Sequence, residues 1–393
     1  MNRAKPTVAN TITFLMLPDD MLLNCLARVS RLYYPTLSLV SKRFRSLLTS
    51  LEIYETRTLL CCTENCLYVC LLFPRDKNGA RWFTLCRRPT QITAPNPTPR
   101  WFTPLLRPYQ LLTMKEKKSS DKNLLVSFPT LNPPYMSRWD MSLAAVGCNI
   151  YQVDTPSRFM FMDCRNHTWH KAPSMRVFRW YPSVRVLDTK IYITGGVKDY
   201  LHSSDWIECF NTKTQIWEHV PSPGAKFIQE NNNIYNSVAI DGKLYFFGVR
   251  SNAVYKTKEN RWDEIGLTEI GMRWAGNPDY CVIDNIWFNY SWILKRLQWY
   301  DIDKGSWEFL EGLEELTKLL KDCYKILVRL ENYGGNIAVL WEKKVREEKD
   351  IWCAEIVLVK RNEHEIYGKV EWCNVVLTVP ITCELLTSFI VTV

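Results

Sequence analysis

Four segments of the chain, MDCRNHTW, FNTKTQIW, YKTKENRW and YDIDKGSW, close on Trp169, Trp217, Trp262 and Trp307, at intervals of 48, 45 and 45 residues. In each, a large apolar residue (Met162, Phe210, Tyr255, Tyr300) stands seven positions before the tryptophan, with polar turn residues between. That is the pattern of two strands joined by a tight turn. Upstream of every such pair lies a second one with its own turn signal: Gly147-Cys148-Asn149, Asp188-Thr189, Asp241-Gly242 and Asp284-Asn285, each flanked by β-branched and aromatic residues. Asp-Gly and Asp-Asn suit a hairpin tip that needs positive φ. One unit is therefore four short strands in about 45 residues, the size of a propeller blade. A solenoid or a sandwich would not predict one tryptophan per four strands at this period.

The units resemble kelch repeats, whose marks are a Gly-Gly pair after the second strand and a spaced Tyr and Trp. Gly195-Gly196 after Ile191-Tyr192-Ile193-Thr194 matches closely, and Tyr245 with Phe247-Gly248 keeps one glycine. The pair permits a tight backbone approach between neighbouring blades. The clearest repeats span 146–175, 184–221, 236–266 and 280–312. Weaker blades are expected around Leu67 to Trp101 and from Gly335 to Pro380, giving about six, with first closing on last. Glu311 to Leu330 predicts an interposed helix, and the β-branched run from Val375 to Val393 reads as closing strands. Residues 87–134, broken by nine prolines and carrying Lys115, Lys117 and Lys118, read as an irregular loop.

Before the repeats the periodicity is helical. Asp19 or Asp20 can cap a helix with Leu22, Leu26 and Val29 on one stripe, and Pro35 suits the first turn of a second with Leu37, Val40, Phe44, Leu47 and Leu48 on one side. Leu51 to Leu60 predicts a third. Leu17-Pro18-Asp19-Asp20, Leu22, Leu23, Leu26 and the later Leu39-Val40-Ser41-Lys42-Arg43-Phe44 resemble an F-box, with Ser41 where Cys is usual and Phe44 where Trp is common. The resemblance implies a helical module over 11–60 whose Leu17, Pro18, Leu22, Leu23, Leu26, Leu37, Val40, Phe44 and Leu47 dock a Skp-type adaptor, and through it a cullin, in an SCF ubiquitin ligase. The remainder, 61–390, is then an all-β kelch-type propeller. The combination resembles the plant F-box/kelch-repeat family over nearly the full chain. On this reading the propeller refolds when the chain before Leu60 is removed.

The net charge of +9 is concentrated at the start: up to Leu125 there are 19 Lys and Arg against 8 Asp and Glu. The basic residues are scattered rather than striped among stacking aromatics, so no nucleic-acid partner is expected. Fourteen cysteines without a secretory signal point to a reducing cytoplasmic or nuclear compartment. Cys61, Cys62, Cys66 and Cys70 tempt a metal site, but Cys66 and Cys70 on the strand CLYVCLLF are too far apart for one ion and no CxxC pair or nearby His completes a set, so neither metal nor cofactor is expected. No run is apolar enough to span a membrane. No P-loop, GxGxxG or HExxH occurs, His167 and His170 flank Trp169 in a packing or turn role, and His364 sits in a charged turn. The expected function is a substrate receptor without catalytic residues of its own, holding a target protein on the propeller loops. The alternatives are a kelch scaffold without a ubiquitination role and a copper-dependent, galactose-oxidase-like propeller.

Overall fold

The computed structural model describes residues 17–74, 79–87, 123–134, 136, 142–154, 158–197, 205–230, 236–248, 251–265, 280–301, 303–321, 328–362 and 365–393. Helices α1 (Asp19–Ala27), α2 (Tyr34–Leu37), α3 (Lys42–Thr49) and α4 (Glu52–Leu59) come first, with a 3-10 turn at Arg31–Tyr33. Where one helix was expected from Pro35 to Leu48, two short ones form. Ser41 takes an extended conformation and its hydroxyl accepts from Phe44 N at 3.1 Å, so a new N-cap interrupts the first helix and starts the next.

Six four-stranded antiparallel sheets follow, arranged as a propeller. Blade I is β4 (Leu143–Val146), β5 (Asn149–Asp154), β6 (Arg158–Asp163) and β7 (Thr168–Lys171). Blade II is β8 (Ser183–Leu187), β9 (Lys190–Thr194), β10 (Ile207–Asn211) and β11 (Ile216–Glu218). Blade III is β12 (Asn236–Ile240), β13 (Lys243–Phe247), β14 (Asn252–Lys256) and β15 (Arg261–Ile265). Blade IV is β16 (Tyr280–Ile283), β17 (Ile286–Ser291), β18 (Arg296–Asp301) and β19 (Ser306–Phe309). Blade V is β20 (Arg329–Tyr333), β21 (Asn336–Val345), β22 (Glu348–Asn362) and β23 (Glu365–Pro380).

Blade VI joins the two ends of the chain. Its order is β24 (Glu384–Thr392), β1 (Asn65–Leu72), β2 (Ala80–Arg87), β3 (Asn123–Ser127), so the last strand is innermost and the first three lie outside it. Glu64 N donates to Val393 O at 2.8 Å and Val393 N returns to Glu64 O at 3.0 Å, extending the ladder by one pair. Closure removes the exposed edge an open sheet would leave. β3 falls inside the stretch expected to be irregular: its Leu124, Leu125 and Val126 pair with β2, and the surrounding prolines hid them. Trp101, Lys115, Lys117 and Lys118 lie outside the described residues, as does Leu327. The interposed helix is α6 (Glu314–Lys321), with Leu316 and Leu320 buried. A further short helix, α5 (Ala225–Glu230), joins blades II and III.

The repeat has a simple structural meaning. In every case the apolar residue is the direct cross-strand partner of the tryptophan: Met162 with Trp169, Phe210 with Trp217, Tyr255 with Trp262 and Tyr300 with Trp307. Trp217 Nε1 donates to Pro173 O at 3.0 Å and Trp262 Nε1 to Pro221 O at 2.6 Å, each reaching a carbonyl in the loop that precedes its own blade. Aromatic bulk on the two outer strands thus clamps each of these blades to the loop by which the chain enters it. The hairpin tips behave as their residues demand, with positive φ at Gly147, Asp188, Asp241, Gly242, Asp284 and Asn285.

The helices are not a separate body. Leu22, Leu23, Leu26, Phe44, Leu47, Leu48, Ile53 and Tyr54 share one continuous buried cluster with Cys66, Tyr68 and Cys70 of β1, Trp82 of β2, Ile150, Met162 and Trp169. This shared cluster bears on the expected division at about residue 60, because removing the helices would strip cover from the seam between blades VI and I. A chain starting at Leu60 is predicted to lose at least several kcal/mol of stability, at roughly 1.5–3 kcal/mol for each large apolar side chain uncovered. Urea unfolding checks this: an unchanged midpoint for the truncated chain would contradict it.

Candidate functional site

Each side chain expected to meet an adaptor has a definite place. Leu22 is wholly buried, and Leu23, Leu26, Phe44 and Leu47 lie with it inside the core. The amphipathic stripe is real, and in this structure it lies in the buried cluster that the helices share with blades VI and I, so these five present little surface to a partner. Leu17 and Leu37 are half-buried against the same core. Pro18 is exposed, and so is Val40, at 57%.

What remains outward is a narrow edge. Arg43 Nε donates to Asp19 Oδ1 at 2.7 Å and its Nη2 to Leu17 O at 2.6 Å. This clamp fixes the Leu17–Asp19 segment beside the start of α3, three residues from Val40. On α1 and its C-cap, Met21, Asn24, Cys25 and Arg28 face outward along with Asp19 and Asp20, Met21 being 53% exposed. Sequence reasoning missed Met21 because it falls off the leucine stripe. Being off that stripe is why it stays outside.

Below this edge the helices are bolted to the ring by two arginines. Arg57, 2% exposed, donates through Nη1 to Ala27 O at 3.0 Å, Val29 O at 2.8 Å and Tyr34 Oη at 3.1 Å, and its Nη2 pairs with Glu64 at 3.0 Å. Arg31 lies over the rings of Tyr54 and Tyr68, donates through Nη2 to Cys164 O at 2.7 Å, and its backbone N–H donates to the Glu64 carboxylate. Tyr68 Oη donates to the same Cys164 carbonyl at 2.9 Å. His167 completes the node, stacked on Phe128 at 3.8 Å between ring centroids with Arg31 Nη2 3.3 Å from its Nε2. The sequence reading gave His167 a packing or turn role, which its positive φ and its stacking fit, but the partnership with Arg31 spans 136 residues and has no local signal.

The chemistry of this node is structural. Burial, with Arg31 adding repulsion, pushes the His167 pKa down to about 3. Burial pushes the thiols of Cys66 and Cys164 up, so they stay protonated and unreactive. Among the described residues no three His, Cys, Asp or Glu side chains converge in a way that could hold a metal ion. His202 and His364 lie outside the described residues. No described helix is long and apolar enough to cross a membrane.

The kelch marks are also placed. Tyr192 is buried in blade II with its ring 6.4 Å from Tyr255 of blade III, and Tyr245 packs edge-on against Trp287 at 5.6 Å. Gly195 and Gly196 both have positive φ, and a Cβ on Gly196 would lie 2.2 Å from Trp180 O. The close approach expected of the pair is therefore to the loop joining blades I and II.

Comparison with known proteins agrees with this architecture. The F-box domain model matches residues 14–56, and the FKB95 kelch-repeats domain model matches residues 82–377. The chain belongs to the F-box/kelch-repeat family. It is 50% identical to a putative F-box/kelch-repeat protein of Arabidopsis thaliana, with 96% of this chain and 97% of the relative aligned. A second putative member from that plant is 49% identical, with 96% of each chain aligned. A third, an F-box/kelch-repeat protein, is 40% identical over 100% of this chain and 97% of its own. In this F-box/kelch-repeat chain the F-box helices and the propeller are one packed unit held at Arg31 and Arg57.

His167 gives that unit a pH dependence. Its folded pKa lies below the ordinary value near 6.5, so the unfolded chain binds the extra proton as pH falls from about 6.5 toward 3. Stability should be full above that window and decline within it, by at most about 1.4 kcal/mol per pH unit from this group. Denaturation at pH 7 and pH 5 should show a smaller loss for His167→Asn, which tolerates positive φ, than for the wild type. Equal losses would contradict the assignment.

Proposed function

We propose that the chain is the substrate-recognition subunit of an SCF-type ubiquitin ligase, its F-box edge docking a Skp-type adaptor that leads to a cullin, and its propeller loops holding a target protein. The observation that carries this reading is the exposed apolar edge of Pro18, Met21 and Val40, left uncovered beside a stripe whose Leu22, Leu23, Leu26, Phe44 and Leu47 are buried. An adaptor laid on that edge would bury side chains that solvent now wets, the ordinary driving force for such contacts. Catalysis in this role is proximity. The chain brings a target lysine near the ligase's partner enzyme and raises its effective concentration, with no bond made or broken by its own residues.

Burial decides which variants can test the docking. Leu22→Asp would place a charge in the core and unfold the module, so its effect on binding carries no information. Val40→Asp and Met21→Asp change only the exposed edge. Each should weaken affinity for purified Skp-type adaptor by about tenfold or more while the thermal midpoint stays put. Adaptor binding that ignores both substitutions would contradict the proposed edge. An adaptor-bound chain that recruits no cullin would point instead to a scaffold.

A further inference from the structure

Strand direction sorts the propeller loops into two sets. Every neighbouring pair of strands is antiparallel, so tips joining the first to the second strand and the third to the fourth lie at one end of the ring, and the remaining connections at the other. The F-box enters at the first end, through Glu64, and is gripped there by the β6–β7 turn that carries Cys164 and His167. The loop from Ala172 to Pro182, between β7 and β8, belongs to the second end.

That loop presents three exposed aromatic side chains in a row. Phe178 and Trp180 are 5.0 Å apart in an edge-to-face arrangement, Tyr181 follows at 6.4 Å, and Trp180 and Tyr181 are 50% and 61% exposed. The display is built rather than slack. Arg179 is wholly buried beneath it, with Nη2 paired to Glu208 at 3.0 Å and Nη1 donating to Gly195 O at 2.8 Å and Trp206 O at 2.9 Å. Trp180 N donates to Gly196 O at 2.8 Å, Arg176 N to Glu208 Oε1 at 2.8 Å, and Trp217 Nε1 holds Pro173. Tyr181 is held at φ +47°, an unfavourable conformation for an aromatic residue that only such a frame sustains.

The loop itself carries charge of one sign. Between Thr168 and Ser183 there is no Asp or Glu. Lys171 and Arg176 are exposed, and the Arg176 side chain donates to a carbonyl, Trp217 O at 2.8 Å, which leaves its charge unneutralised. Of the carboxylates beside Arg179, Glu208 is 2% exposed and taken by Arg179, while Asp205, half-buried, holds Arg179 Nη2 through its backbone carbonyl at 2.6 Å. Trp292, Ile293 and Leu294, all exposed at the β17–β18 tip, lie at the same end of the ring by the same bookkeeping.

We infer that the end of the propeller away from the F-box reads its target through Trp180, Phe178 and Tyr181, and that the occupant is an acidic peptide segment carrying apolar or aromatic side chains. Rigid aromatic anchors beside exposed arginine and lysine are the combination that concentrates binding energy at interfaces and selects negative partners. This assignment rests on the proposed receptor role for the existence of a target, and on the loop alone for its chemistry.

The test is a displayed library of random dodecapeptides selected on the full chain, with the recovered peptides synthesised and titrated by fluorescence anisotropy. They should pair Asp or Glu with Leu, Phe, Tyr or Trp, and should bind more weakly as salt rises from about 50 to about 300 mM. Trp180→Ala and Arg176→Glu should each cost about tenfold in affinity without changing the adaptor affinity. Tyr181→Gly removes the ring and relieves the backbone, so it should bind more weakly while remaining at least as stable, which keeps the test valid if Trp180→Ala unfolds. Recovery of only basic or uncharged peptides, of none, or of peptides indifferent to Trp180→Ala and Tyr181→Gly overturns the inference. Acidic peptides bound by a chain that ignores the adaptor would sink the receptor role and leave this site standing; adaptor binding without acidic peptides would do the reverse.

Discussion

Glu64 is the residue on which both halves of the molecule converge. Its carboxylate takes Arg57 and the backbone N–H of Arg31, while its own backbone exchanges two hydrogen bonds with Val393, the last residue of the chain. Arg57, 2% exposed, is held at this depth by Glu64, itself 26% exposed, and by the carbonyls of Ala27 and Val29. Ring closure and helix docking therefore meet at a single residue, the first through its backbone and the second through its carboxylate.

The consequence for function is geometric. Because the helices are packed onto the seam between blades VI and I, the outward edge at Pro18, Met21 and Val40 has a fixed position relative to the ring. A receptor built this way would hold its target at a set distance and orientation from whatever is docked on that edge, and a rigid connection keeps effective concentration high by sampling few unproductive geometries. The second end of the ring is equally fixed: Arg179 and Glu208 form a buried pair beneath the loop that carries Trp180, so the aromatic row loses little conformational freedom when it is covered.

Much of this was legible in the sequence, for reasons that differ by element. The blades were readable because period-two alternation, an Asp-Gly tip and a cross-strand Trp are all local, within a dozen residues of one another. The leucine stripe was readable too, but amphipathicity records only that a face is covered and not by what. Leu22 and Phe44 were thus assigned to a partner, and in the folded chain both lie in the buried cluster the helices share with the ring. Ser41 was read as a variant of a family cysteine, and its hydroxyl turned out to cap a helix. The Arg31–His167 contact, the β24–β1 ladder and the burial of Arg179 depend on residues dozens to hundreds of positions apart, and single-sequence periodicity carries no trace of them. Gly196 shows both sides: the glycine pair signalled a close approach, while its partner, Trp180 O, emerged only from the folded ring.

Native-state hydrogen exchange tests most directly whether helices and ring form one unit, because it reports the free energy of opening segment by segment. Amides of α1 and α4 should exchange with the same denaturant dependence and the same limiting stability as those of β1 and β24. Helices that open in a separate, lower-energy step while the β1–β24 ladder stays protected would contradict a shared core at Arg31, Arg57 and Glu64.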